Sequence, residues 1–269
     1  MPELPEVESL RRYLLRQGVV GRRFTGVDAG WPGAARASDG RGGLAGLKGR
    51  RIEGVDRHGK QLIVRLDHGV LGLHMGMTGS LAVRTPGDER LKYTHTVFHL
   101  DDGRRIELDD ARKWASAVLA DAASDLTGSL GSDAAGTSFS ADEFVRRVKL
   151  KRSAIKAVLL DQHVLAGVGN IYADEALFQA GISPLRPASR TSEARLRSLH
   201  AAIQDVLTRA TDFIGAHLLD DGRPYIVDAY DERMRLPRKK GAPCPDCRAP
   251  LSAAKFGGRT SYYCPRCQR

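Results

Sequence analysis

The spacing of hydrophobic residues changes twice along the chain. Val7, Leu10 and Leu14 recur at helical intervals behind Pro5, and Gly18 stands where such a helix would stop. From about residue 19 to residue 108 short alternating runs take over, among them Leu62, Val64 and Leu66, then Thr94, Thr96, Phe98 and Leu100, then Ile106 and Leu108. Alternation of this kind predicts half-buried strands, with Asp102-Gly103 as the clearest hairpin turn. Residues 121–137, rich in Ala, Gly, Ser and Asp, read as a linker. Helical spacing then returns. Ser140 precedes Glu143 as a capping box, and further helices are expected at about 153–161, 170–180 and 192–211. Residues 220–232 are acidic and irregular, whereas 233–240 hold five basic residues and Pro237. The expected architecture is α+β and multidomain, with a leading helix plus antiparallel β-sandwich at 1–132, a helical domain at 133–232 and a small module at 233–269.

Charge and cysteines sharpen that outline. A net charge of +10 and a pI near 9.7 point to a polyanionic partner. No long apolar run is present, and an N-terminus carrying Glu3, Glu6 and Glu8 does not resemble a secretory leader, so a soluble cytoplasmic protein is expected. All four cysteines fall in the last module, as Cys244-x-x-Cys247 and Cys264-x-x-Cys267 around a 16-residue spacer. Two such knuckles close a tetrahedral Zn²⁺ site with no vacant position, which predicts one structural zinc. The spacer carries Gly257, Gly258 and Arg259, placing a cation at a glycine-rich hairpin tip.

Other candidate chemistry is dispersed. With the initiator Met removed, Pro2 would present a secondary amine titrating near pH ~8, beside Glu3 and Glu6. Gly167-Val-Gly169-Asn170, followed by Tyr172, has the form of a phosphate-binding turn leading into a helix, or of a plain tight connection. His58-Gly59-Lys60 lies at a strand turn. Met75 and Met77 fall on one expected strand face, as core fillers or, for a loop-borne Met, as a wedge between bases. Arg112-Lys113-Trp114 supplies two cations and an aromatic ring.

Together these motifs resemble, nearly end to end and in the same order, the formamidopyrimidine-DNA glycosylase and endonuclease VIII family of base-excision repair enzymes. The opening Pro-Glu-Leu-Pro-Glu-Val-Glu, Gly59-Lys60, His74-x-Gly76-Met77-x-Gly79, Ala166 through Glu175 and the four-cysteine finger with Arg259 carry the resemblance, and the opening favours the formamidopyrimidine-DNA glycosylase branch. The resemblance implies a bifunctional glycosylase and abasic-site lyase. Pro2 is then the nucleophile, Glu3 the general acid and Glu6 its support, with Lys60 completing the catalytic group and touching a phosphate. His74, Asn170 and Arg259 match phosphate contacts, Met77 and Arg112 match residues filling the vacated base position, and Trp114, Lys156 and Tyr172 complete the DNA-binding set. The helical domain would be of the helix-two-turn-helix type, and double-stranded DNA with a damaged base or abasic site would lie between the main domains of a monomer. A non-catalytic damaged-DNA binder, or an enzyme shifted toward oxidised pyrimidines or bulky adducts, are the alternatives. Three departures from the family pattern bear on the lesion: Trp114-Ala115 where Phe-Gly is usual, Ser132-Asp133-Ala134 after Leu130-Gly131, and Phe213-Ile-Gly-Ala-His-Leu-Leu-Asp-Asp-Gly222 where a Gly-Gly-Thr/Ser-rich capping loop usually begins.

Overall fold

The computed structural model describes residues 2–30, 35–37, 43–137, 139–226 and 230–269. Met1, whose removal the expected proline chemistry requires, lies outside them, as do residues 227–229 of the acidic segment. The chain divides into two compact units, one of Met1–Ser129 with Ile214–Val227 and one of Leu130–Phe213 with Asp228–Arg269.

The first unit begins with α1 (Leu4–Arg16), whose Val7, Leu10 and Leu14 are buried as their spacing predicts, with Tyr13 buried beside them, and Gly18 follows with φ +62°. The strands are β1 (Phe24–Ala29), β2 (Ala35–Ala37), β3 (Ile52–His58), β4 (Gln61–Leu66), β5 (Val70–His74), β6 (Ser80–Arg84), β7 (Thr94–Leu100), β8 (Arg105–Asp109) and β9 (Ser116–Ala120). They form two sheets, ordered β1-β7-β8-β6 and β2-β9-β5-β4-β3. Asp102-Gly103 turns β7 into β8 as expected, with His99 opposite Arg105. Pairing is antiparallel throughout except that β2 runs parallel to β9.

Both sheets contribute to one apolar core, with Leu62, Val64 and Leu71 from one and Leu81, Phe98 and Leu108 from the other. α1 packs on β3, β4 and β6, and Tyr13 adds a specific tie by accepting the Val83 N–H at 2.9 Å. This holds the N-terminus by burial of about four large side chains, each worth roughly 1.5–3 kcal/mol.

The expected linker at 121–137 is partly ordered. Ala123–Thr127 forms α2, whose N-terminus is capped by Asp125 accepting from the Ala122 N–H, and Leu126 packs on Ile63, Val70 and Ala120. The alanines that read as linker composition are also good helix formers, and one leucine with a receptive sheet face was enough to decide the outcome.

In the second unit β10 (Ser132–Asp133) runs parallel to β11 (Leu165–Ala166). Its helices are α3 (Ala141–Lys149), α4 (Ile155–Leu160), α5 (Asn170–Gln179), α6 (Glu193–Ala216), the last of these ending in residues that count with the first unit, and the short α7 (Tyr230–Arg233). Ser140 caps α3 by accepting from the Glu143 N–H, the contact expected from the sequence. The finger is a hairpin of β12 (Ser252–Phe256) and β13 (Arg259–Tyr263). Among the described residues no helix is long and apolar enough to cross a membrane.

Candidate active site and nucleic-acid interface

Pro2 and Glu3 precede α1 directly, and both are buried. Glu6, fully buried, accepts the Glu3 N–H at 2.8 Å, which fixes the backbone that carries Glu3 and satisfies an orphan donor of the helix start. Glu8 has a different task. It receives Arg11 at 2.8 Å, Arg12 at 3.0 Å and Arg57 of β3 at 3.2 Å, so it clamps α1 to the sheet. Burial works to raise its carboxyl, but the hydrogen bond and charge of Arg11, helped by Arg57 and Arg12, win and hold it below the ordinary range. Three glutamates that look alike in sequence thus separate into a residue beside Pro2, a backbone cap and a clamp.

Lys60 turns β3 into β4 and is only 8% exposed, and His74 ends the adjacent strand, paired with Gln61 in register. Burial, seconded by the positive charge of Lys60, lowers the His74 pKa. Its Nδ1 lies 3.1 Å from the Gly76 N–H and accepts from it, so the neutral ring carries its proton on Nε2. A neutral imidazole with a fixed tautomer is a directional donor suited to a phosphate oxygen.

Met75 and Met77 do not share a strand face. β5 stops at His74, residues 76–78 form a turn, Met75 is buried in the core and Met77 is half-buried. Glycine makes this possible, because a Cβ at Gly76, where φ is +58°, would stand 2.6 Å from the Trp114 carbonyl carbon. A Cβ at Gly79 would lie 2.3 Å from the Met75 oxygen. The backbones of the loop carrying Met77 and the loop carrying Arg112 and Trp114 are therefore in direct apposition.

Asp110, which no sequence motif singled out, joins those loops. It accepts the Thr78 hydroxyl, the Arg112 N–H at 3.1 Å, and the Trp114 and Ala115 N–H groups at 2.7 Å each. Burial would raise its carboxyl, but these bonds, Thr78 foremost, overcome that and hold it below the usual range. Arg112 lies over the Trp114 ring, 4.0 Å from its centroid, and Trp114 is 56% exposed. A bulky, solvent-facing ring and a cation stacked on it are thus presented on a rigid loop.

The divergent segment before the finger begins inside α6, which runs to Ala216, and the residues after it form a short hairpin in the first unit. Leu218 bridges Pro224, the Leu219 N–H donates to the Arg223 carbonyl at 2.8 Å, and Asp221 pairs with Arg84 at 3.3 Å and Arg223 at 2.7 Å. Ile226 then enters the core.

The remaining candidates belong to the second unit. Asn170 is the first residue of α5; its side-chain N–H donates to the Thr260 carbonyl at 2.9 Å, while its Oδ1 is buried without a hydrogen-bond partner. Gln162, another residue without a sequence signal, braces the glycine turn by accepting from the Gly167 N–H and donating to the Val168 carbonyl. Tyr172 is buried and its hydroxyl accepts from Arg233 at 3.2 Å. Lys156 is fully buried and donates to Asp174 at 2.6 Å and to the Asn170 carbonyl, so its ammonium faces protein groups. Arg259 is exposed and opens β13 after a two-residue turn in which Gly257 and Gly258 both have positive φ.

Cys244, Cys247, Cys264 and Cys267 bring their sulfurs within 4.8 Å of one another, with Cys247–Cys264 at 3.5 Å and Cys244–Cys267 at 3.9 Å. Tetrahedral zinc with Zn–S of ~2.3 Å requires sulfurs ~3.8 Å apart, so the set fits that ion. Crowding pushes the Cys267 thiol up, chiefly through hydrogen bonding to Cys247, and four thiolates at this spacing require a cation. Zinc here supplies structure.

Comparison with known proteins converges with this geometry. Residues 1–117 match the formamidopyrimidine-DNA glycosylase N-terminal domain, 130–218 the H2TH domain of the same enzyme, and 241–269 the zinc finger found in FPG and IleRS. The chain is 38% identical to the formamidopyrimidine-DNA glycosylase of Symbiobacterium thermophilum over all of this chain and 89% of the relative, and 38% identical to that of Thioalkalivibrio sulfidiphilus over the whole of both. Among solved structures, the MutM (Fpg) protein of Thermus thermophilus aligns with a TM-score of 0.84 at 36% identity, covering 99% of this chain and 98% of the other. MutM in complex with DNA containing carbocyclic 8-oxo-G aligns at 0.85 and 30% identity over the whole of both chains. The chain, with its N-terminal sandwich, helical domain and four-cysteine finger, belongs to the formamidopyrimidine-DNA glycosylase family.

Proposed function

We propose that the protein is a base-excision repair glycosylase that removes damaged bases from duplex DNA and then cleaves the abasic site through its N-terminal proline. The single observation that carries this reading is the N-terminus itself: Pro2 and Glu3 stand at the head of a helix fixed by Glu6 and Glu8. With Met1 removed, the Pro2 nitrogen attacks C1′ of the damaged nucleoside and the base departs. Glu3 donates a proton to the sugar ring oxygen, the ring opens, and an iminium Schiff base links Pro2 to C1′. Loss of a C2′ proton then expels the 3′ phosphate by β-elimination, and δ-elimination expels the 5′ phosphate. Lys60 and His74 of the first unit and Asn170 and Arg259 of the second hold phosphates flanking the lesion. Met77 and Arg112 occupy the place of the extruded base, with Trp114 beside them.

The short hairpin pinned by Asp221 to Arg84 favours a second reading, in which the same chemistry serves a different lesion set. A panel of duplexes carrying an abasic site, 8-oxoguanine or an oxidised pyrimidine tests both. Scission on both sides of the abasic site supports the lyase, and the bases excised define the lesion class. Tight binding with no scission of any member would instead identify a non-catalytic damage binder.

A further inference from the structure

Asp174 lies in α5 with 2% exposure, and its two carboxylate oxygens collect hydrogens from three segments remote in sequence. Lys156 of α4 donates at 2.6 Å, Arg238 of the basic segment at 3.0 Å, and the finger contributes the Ser261 hydroxyl and the Tyr262 N–H, the latter at 3.3 Å. Lys156 is itself completely buried. Burying a carboxylate with two cations confers little net stability over an apolar cluster of the same volume, but such a group has one geometry that satisfies it. Its best-attested use is to fix register.

The parts held in register here are the two proposed phosphate contacts. Ser261 is two residues beyond Arg259, and Thr260 between them accepts both the Asn170 side chain at 2.9 Å and Arg238 at 3.3 Å. Asn170 in turn gives its main-chain carbonyl to Lys156. The opposite end of the finger has its own attachment: Gln268 donates to the Ile182 carbonyl at 3.0 Å and accepts from the Cys264 N–H at 2.8 Å. Losing the Asp174 contacts therefore leaves the metal cluster and that attachment in place, and leaves the Thr260 carbonyl, with its bonds from Asn170 and Arg238, to hold the hairpin against α5.

We infer that Asp174 is a positioning residue that locks the zinc-finger hairpin to the N-terminus of α5, so that Arg259 and Asn170 meet the phosphate backbone as one preset pair. The inference rests on the reading of those two residues as phosphate contacts. Lys156 then serves DNA binding from within the protein, by closing the lock.

The test is equilibrium binding of a duplex bearing a stable abasic-site analogue, measured across a salt series for Asp174→Asn, Arg259→Ala and the double variant, with zinc content assayed on each. The lock predicts that Asp174→Asn keeps its zinc, weakens binding about tenfold, flattens the slope of log K against log salt by about one, and adds less than about twofold on the Arg259→Ala background. If Asp174→Asn fails to fold because the buried Lys156 loses its carboxylate, Lys156→Met with Asp174→Asn removes both buried charges and carries the same expectations. Wild-type binding by Asp174→Asn beside a weakened Arg259→Ala would overturn the inference alone, as would fully multiplicative losses. Wild-type binding by Arg259→Ala would overturn the phosphate-contact reading on which it stands.

Discussion

Single buried carboxylates organise most of what the candidate site presents. Asp110 gathers the backbone of one loop and a hydroxyl of another, so its replacement by Asn leaves at least one buried donor without a charged acceptor. Asp110→Asn is expected to cost about 2 kcal/mol in urea unfolding, and to weaken abasic-duplex binding more than Arg112→Ala does, because it disturbs the Met77 loop and the Arg112–Trp114 loop at once. Histidines set the acid side of the stability profile. Burial lowers the pKa of His74 and of His95, so the unfolded chain binds protons that the native one refuses as pH falls below about 6.5. Their contribution to stability is thus level above that pH and declines below it, before the depressed carboxylates of Glu8 and Asp110 titrate. Urea midpoints at pH 7.5 and 5.5 should differ for the native protein, and by less in His74→Gln with His95→Gln.

At the scale of elements, the finger depends on its ion, since β12 and β13 with two CxxC knuckles cannot bury enough apolar surface to fold unaided. Chelation should release one zinc per chain, unfold the finger by circular dichroism and abolish tight binding to abasic duplex, while the sandwich keeps its cooperative melt. The elements were largely legible in the sequence where local rules suffice. Pro5 and the Val7, Leu10, Leu14 spacing gave α1, Ser140 gave the start of α3, and Asp102-Gly103 gave the β7–β8 turn. α2 escaped because its composition is that of a linker and its stability comes from Leu126 meeting a sheet face assembled from distant strands. The same limit explains the site. Pro2, the glycine turn and the cysteines announce themselves by spacing, whereas Asp110, Gln162 and Asp174 act through contacts with residues that only the fold brings near. Period-two alternation puts Met75 and Met77 on one strand face, and it carries no sign that β5 ends at His74.

Across the whole molecule, whose net charge is +10, the candidate DNA contacts fall into two sets, one on each compact unit, and the proposed nucleophile Pro2 belongs to the first. Long-range attraction brings the polyanion in, and the fixed donors decide where it comes to rest. The proposed chemistry is organised around an amine that exists only after Met1 is removed. Borohydride reduction of the protein on a duplex with one abasic site tests it directly. The expected result is a covalent protein–DNA adduct that peptide mapping places on the Pro2 nitrogen and that Pro2→Gly weakens or relocates. No adduct with the native protein, or one that Pro2→Gly leaves undiminished and in the same place on another residue, would contradict it.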